Sequence, residues 1–328
     1  MRVLVTGVAG QLGHDVMNEL NRRGYEGIGT DLADQYAGVR DGSAAERMEY
    51  IQLDITNQDA VSAVFEKVRP DAVIHCAAWT AVDLAEDREL LGKVQAVNAG
   101  GTEHIARAAL GVDAKMLYLS TDYVFDGMGD RPWDPDDKNY SPLNVYGQTK
   151  LDGELAVSGI LEKYFIVRIA WVFGKSGSNY IRTMLSIGRK HHQLRIVNDQ
   201  IGTPTYTYDL SSLLVDMIET DRYGYYHATN SELSDAQGPF DSDGTKTGYI
   251  SWYDFSREIF RQASAMGYTD YDEENLKLIP VSTKEYGLSR AKRPSNSRLD
   301  KSKLVREGFR PLPDWKDALS RYLKEIDF

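Results

Sequence analysis

Through the first 170 residues, short apolar runs alternate with stretches whose apolar positions recur every three or four residues. That alternation predicts the strands and crossover helices of a parallel, doubly wound α/β sheet. Val3 to Val5 predicts a first strand and Gln11 to Arg23 its helix. Tyr25 to Thr30 predicts a second strand closing at Asp31, and Tyr50 to Leu53 a third. A helix over Gln58 to Val68 is stopped by Pro70, and Ala72 to His75 reads as the fourth strand. A long helix is expected from Asp87 to Leu110, then a fifth strand over Lys115 to Ser120 and a Gly/Asp/Pro-rich loop to Pro142. The helix carrying Tyr146 follows, and Phe165 to Ile169 predicts a sixth strand.

Beyond Phe173 the pattern loosens into shorter helices and loops. Residues 1–172 are therefore expected to form the sheet domain, and residues 173–328 a smaller lobe capping its carboxyl edge, interleaved with the sheet. Segments 34–47 and 231–248 read as surface excursions.

Composition narrows the function. A net charge of −11, from 38 basic and 49 acidic residues, argues against a nucleic-acid or anionic-membrane surface. Cys76 is the only cysteine, so no disulfide forms within the chain, which fits a reducing compartment. The N-terminus runs straight into a strand without room for a signal peptide, and no apolar run approaches a membrane span. The expectation is a cytoplasmic enzyme or binding protein acting on a small molecule.

The loop Gly7-Val-Ala-Gly10-Gln11-Leu12-Gly13 sits between the first strand and its helix. Gly7 permits the tight turn, Gly10 lets the backbone approach a phosphate, and Gly13 lets helix pack close to strand. This is the Rossmann context for a dinucleotide. Asp31, closing the second strand, can accept hydrogen bonds from the adenosine ribose and disfavours a 2′-phosphate, which Arg40 can offset. NADPH or NADH is thus the expected cofactor. Leu53 at the end of the third strand with Asp54 after it, and Cys76, Ala77 and Ala78 after the fourth, are placed to flank adenine and the nicotinamide-side ribose.

Tyr146 and Lys150 stand one helical turn apart and share a face. Of twenty tyrosines, only Tyr146 has a lysine four residues on. An ammonium beside a phenol favours phenolate, so the expectation is a Tyr146 pKa lowered from about 10 and proton exchange near neutral pH. Thr121 can hydrogen-bond the oxygen that Tyr146 protonates. Asn98, in mid-helix, can hold a water linked to Lys150. His75 is expected to be a satisfied packing residue, and Trp252 to pack the C-terminal lobe.

Further motifs run in order through nearly the whole chain: Ala77-Ala-Trp-Thr-Ala-Val-Asp83, Ser120-Thr-Asp-Tyr-Val-Phe-Asp-Gly127, Pro142-Leu-Asn-Val-Tyr-Gly-Gln-Thr-Lys-Leu151, Arg168-Ile-Ala-Trp-Val-Phe-Gly174, Asn198-Asp-Gln-Ile-Gly-Thr-Pro-Thr205 and Arg293-Pro-Ser-Asn-Ser-Arg-Leu299. With the glycine loop, they make the chain resemble the extended short-chain dehydrogenases/reductases, and within them the dTDP-4-dehydrorhamnose reductase family. The resemblance implies a catalytic trio of Thr121, Tyr146 and Lys150, with Asp122, Tyr123 and Trp171 at the sugar or nicotinamide end. It implies reduction of a nucleotide-linked 4-keto-6-deoxy sugar in dTDP-rhamnose biosynthesis. Asn179, Gln200, Gly202, Thr203, Pro204, Asn296, Arg293 and Arg298 are expected to hold the nucleotide sugar, the arginines taking its diphosphate.

The family also suggests a homodimer and Mg²⁺ between subunits. Asp15 is a candidate ligand, but Arg189-Lys-His-His192 is basic where acids would help, so no metal site is assigned. Alternatives of the same fold are another nucleotide-sugar 4-ketoreductase or an epimerase. A dehydratase would carry Thr-Asp-Glu where Tyr123 stands third. From another class, the chain resembles the non-catalytic regulatory subunit of methionine adenosyltransferase; the intact trio weighs against it.

Overall fold

A computed structural model describes residues 1–231 and 248–328. Its centre is a seven-stranded sheet, all parallel, in the order β7-β6-β5-β4-β1-β2-β3. The strands are β1 (Arg2–Thr6), β2 (Glu26–Asp31), β3 (Glu49–Gln52), β4 (Ala72–His75), β5 (Lys115–Thr121), β6 (Tyr164–Ile169) and β7 (Gly224–His227). Strand order reverses between β1 and β4, so a crevice opens above their carboxyl ends.

Both faces of the sheet are covered, which is why its strands read as near-continuous apolar runs. Along β1, Val3 and Val5 enter one core while Leu4 enters the other. The first core lies under the Gln11–Arg22 and Thr207–Ile218 helices. The second lies under the Gln58–Val68, Thr102–Gly111 and Val145–Ile160 helices. A third core, rich in aromatic side chains, builds the C-terminal lobe from the Tyr180–Gly188, Trp252–Ala265 and Trp315–Glu325 helices.

Two local features depart from the expected pattern. The helix expected from Asp87 starts at Leu91, and its middle, Ala96–Gly101, is a π turn. Two of those six residues are glycines, weak helix formers that let the ladder slip to wider bonding. The seventh strand, Gly-Tyr-Tyr-His, carries too few residues for its period to show in sequence. It completes the sheet with chain from beyond residue 172, as the Thr207–Ile218 helix completes its cover. Of the two expected excursions, 34–47 ends in a short helix, Ala44–Arg47, with Tyr36 buried against His14. Most of the other, 232–247, lies outside the described residues. No helix among the described residues is long and apolar enough to cross a membrane.

Candidate active site

The crevice above β1 and β4 is a cleft of about 780 Å³. Its floor begins at the glycine loop. Gly7 has φ +71°, and a Cβ there would meet the Ala77 backbone at 2.7 Å. A Cβ on Gly13 would stand 2.3 Å from the Gly7 carbonyl oxygen. The loop is therefore open only because these positions lack side chains. Gly10 caps the following helix without any side-chain bond, leaving the first-turn N–H groups directed outward as an anion site.

Gly7, Gly10, Gln11, Leu12, Gly13, Asp31, Leu53, Asp54, Cys76, Ala77 and Ala78 all line this cleft. Asp31 also accepts a 3.0 Å bond from the Ala9 N–H, which fixes its carboxylate against the loop. Asn98 does not line the cleft. Its Oδ1 accepts from the Trp79 N–H at 2.7 Å, and its Nδ2 donates to the Trp79 carbonyl and Thr149 Oγ1. Lodged in the π turn, it ties the loop after β4 to the Tyr146 helix, and these protein contacts take the place of the expected water.

That helix, Val145–Ile160, begins where Asn144 Oδ1 accepts from the Gly147 N–H at 2.8 Å, a local N-cap. The cap places Tyr146 in the first turn, its face toward the cleft, with Lys150 one turn on. Thr121 ends β5 beside them; its hydroxyl donates to Asp122 Oδ1 at 3.0 Å and accepts from the Tyr123 N–H. Tyr123 packs edge-on against the Tyr146 ring, centroids 5.8 Å apart. Ser120 Oγ, also lining the cleft, is buried with no hydrogen-bond partner among the described residues.

The electrostatics differ from the sequence expectation. Burial raises the Tyr146 phenol above its ordinary value, and Asp122 adds to the rise, while the contact with Thr121 works against it. The Lys150 ammonium lies over the face of Tyr118, 4.2 Å from the ring centroid. Burial lowers Lys150 to about 7, against the opposing pull of Glu154 and Cys76. Desolvation thus sets the direction for the phenol, and Tyr146 is held neutral, the form that can donate a proton. Burial also raises Asp122 to about 6. His75 is a satisfied residue between Thr6 and Thr102 hydroxyls, lowered by burial to about 3.

At the far end stands Trp171, a non-glycine residue at φ +50°. Its ring stacks on Trp252 at 3.7 Å, and both indoles line the cleft. The role of Trp252 as cleft wall was not legible in sequence, because only tertiary packing brings it to Trp171. Gly202 lies behind: a Cβ there would stand 2.9 Å from the Trp171 ring.

The remaining expected sugar-site residues are placed as follows. Asn179 lines the cleft near the glycine loop, its Nδ2 donating to Gln11 Oε1, the Gly174 carbonyl and Tyr322 Oη. Gln200 donates to Thr283 Oγ1, Thr203 to the Gly248 carbonyl, and the Pro204 carbonyl accepts from the Asn230 N–H. Asn296 is fully buried and donates to the Met128 and Arg131 carbonyls. Arg298 bonds Asn296 Oδ1 at 3.0 Å. Arg293 forms a two-pronged pair with Asp83, which also accepts from the Arg290 and Ala291 N–H groups. Asp83 lay within a recognised motif, but nothing local showed its partner.

The donor set suits a nicotinamide dinucleotide: a glycine cradle that any Cβ would fill, a carboxylate at the end of β2, and a tyrosine–lysine pair at the opposite end. No group of three or more potential metal ligands occurs among the described residues. Asp15 accepts from Thr207 Oγ1 at 2.5 Å and is raised to about 7, chiefly by burial.

Over residues 1–328 the chain matches the RmlD substrate binding domain. The chain belongs to that family. It is 34% identical to a dTDP-4-dehydrorhamnose reductase of Aggregatibacter actinomycetemcomitans, with 97% of each chain covered. Two solved structures cover 99% of both chains. A dTDP-4-dehydrorhamnose reductase of Clostridium acetobutylicum is 36% identical with a TM-score of 0.82. That of Bacillus anthracis, solved in complex with NADP, is 35% identical with a TM-score of 0.81.

Proposed function

We propose that this RmlD-family protein reduces the 4-keto group of dTDP-4-dehydro-L-rhamnose to give dTDP-L-rhamnose, with NADPH or NADH. The observation carrying this reading is the single cleft that joins the glycine loop at one end to Thr121, Tyr146 and Lys150 at the other. A nicotinamide bound along it supplies the hydride to C4 of the sugar. Tyr146 gives its phenolic proton to the C4 oxygen, and burial keeps that proton in place beforehand. The Thr121 hydroxyl turns from Asp122 to the same oxygen and stabilises the charge developing there. Lys150 holds the nicotinamide ribose and carries a positive charge beside Tyr146. The stacked Trp171 and Trp252 rings offer an apolar platform for the C–H face of a pyranose. Tyr123, where a dehydratase would need a carboxylate, favours simple reduction.

Asp31 favours NADH through the ribose hydroxyls, while the NADP bound by the Bacillus anthracis relative supports use of the phosphorylated cofactor. The ratio of kcat/KM for the two cofactors, before and after Asp31→Ala, decides the matter. A rise in that ratio toward NADPH is expected. The activity itself is tested by following NAD(P)H oxidation on addition of the keto sugar. Stoichiometric oxidation with formation of dTDP-L-rhamnose is the expected result. No oxidation with either cofactor, by protein that binds both ligands, would contradict it.

A further inference from the structure

The Tyr146–Lys150 face continues one more turn to Glu154, which is fully buried. Glu154 is locked by Arg168 of β6, also 0% exposed, through two parallel 2.8 Å bonds. The remaining donors of Arg168 reach the Pro135 carbonyl at 3.1 Å, Tyr140 Oη at 3.1 Å and His227 Nε2 at 3.3 Å. Its guanidinium also stands 4.8 Å from the ring centroid of Phe125 and 4.9 Å from that of Tyr225. This side chain has one position available to it. Its partner carboxylate is equally fixed.

A buried ion pair is a poor way to stabilise a fold, because desolvation offsets most of its attraction and an apolar pair of like volume serves as well. The position of this pair suggests what it does instead. Lys150 is faced by Glu154 from its own helix, where Tyr146 stands one turn back, by His75 and Cys76 from the end of β4, and by Tyr118 from β5. Burial holds His75 neutral, pushes the Cys76 thiol up and raises the Tyr118 phenol well above its usual range. Among these groups, Glu154 is the one carboxylate, and Arg168 stands behind it, paired with it at 2.8 Å.

Taking Lys150 as the lysine of the reductive site, we propose that Glu154, fixed in place by Arg168, is a positioning residue whose carboxylate sets the charge carried by Lys150 in the cleft. The carboxylate favours the ammonium that burial opposes. It does so without touching cofactor or substrate, since neither Glu154 nor Arg168 lines the cleft.

The test reads Lys150 directly on the full-length protein: its rate of acetylation by acetic anhydride is followed against pH, with the labelled peptide quantified by mass spectrometry. In Glu154→Gln the midpoint should move to lower pH, with about a tenfold fall in the ammonium-to-amine ratio, one pH unit. Glu154→Asp, which keeps the charge, should stay near the wild-type midpoint. The pH profile of NAD(P)H-dependent turnover should move in the same direction as the midpoint. If Glu154→Gln is insoluble, the double variant Glu154→Gln/Arg168→Met removes both charges and should also lower the midpoint. An unmoved midpoint accompanied only by a fall in Tm would make the pair a fold element and overturn the proposal. Equal shifts in the Gln and Asp variants would overturn it too. A lowered midpoint in protein inactive toward the keto sugar would uphold the charge-setting role and fail the reductase reading instead.

Discussion

The two ends of the cleft are built differently. At the glycine-loop end, every residue expected from sequence except Asn98 and Arg40 lines the cleft. At the sugar end, Trp171, Asp122 and Tyr123 line it, Asn179 lines it beside the glycine loop instead, and Gln200, Gly202, Thr203, Pro204, Arg293, Asn296 and Arg298 are not among the lining residues. The first end is one strand–turn–helix unit plus the tips of neighbouring parallel strands, so local spacing fixes where each side chain points. The second end is assembled from loops more than a hundred residues apart, as in Arg293 with Asp83 and Asn296 with Met128. There a polar residue's type does not say whether it meets a ligand or holds a loop.

The largest effect is expected where the geometry is tightest. Gly13→Ala puts a Cβ into the Gly7 carbonyl, so the loop must shift. NADPH affinity should fall by about a hundredfold or more, close to 3 kcal/mol, in a fluorescence titration. Unchanged affinity would break the assignment of this end to the cofactor.

Lys150→Met sharpens the contrast from the catalytic centre. The free protein holds Lys150 near pH 7, below its ordinary value, so the folded state binds fewer protons than the unfolded state between about pH 7 and 10. Wild-type stability should therefore gain a rising contribution with pH across that window, and below it the buried ammonium is a full cost. The methionine variant should lack this slope and be more stable by a few kcal/mol near pH 7, as read from denaturant unfolding at several pH values. Parallel stability curves would remove the desolvation argument.

Behind the sugar wall the expected effects are on stability. Asn296→Ala leaves the Met128 and Arg131 carbonyls without their buried donor, so unfolding free energy should drop by about 1–3 kcal/mol. NADPH affinity should not change. Arg298→Ala, at a half-buried position bonded to Asn296, should have the smallest effect of these on stability. A strong rise in its KM for the nucleotide sugar would bring Arg298 back into the ligand site.

The strands through β6, the glycine loop and the Tyr146–Lys150 face were legible because each rests on a period or spacing within about fifteen residues. Gly224–His227 was not, being a four-residue strand whose partner lies sixty residues upstream. The sign of the Tyr146 shift was also out of reach. A lysine one turn away predicts a lowered phenol, but desolvation in the cleft, which no local pattern reveals, raises it. Trp252 read as core and instead packs against the core as part of the wall, its ring near Phe255 and Tyr180 and stacked on Trp171.

The most direct measurement compares wild type and Tyr146→Phe for turnover of dTDP-4-dehydro-L-rhamnose, with NADPH affinity measured on the same preparations. Loss of the phenolic proton alone should lower kcat by about two to four orders of magnitude and leave cofactor affinity intact. Near wild-type turnover by a folded, cofactor-binding Tyr146→Phe protein would contradict the assignment of Tyr146 as the acid at the heart of this cleft.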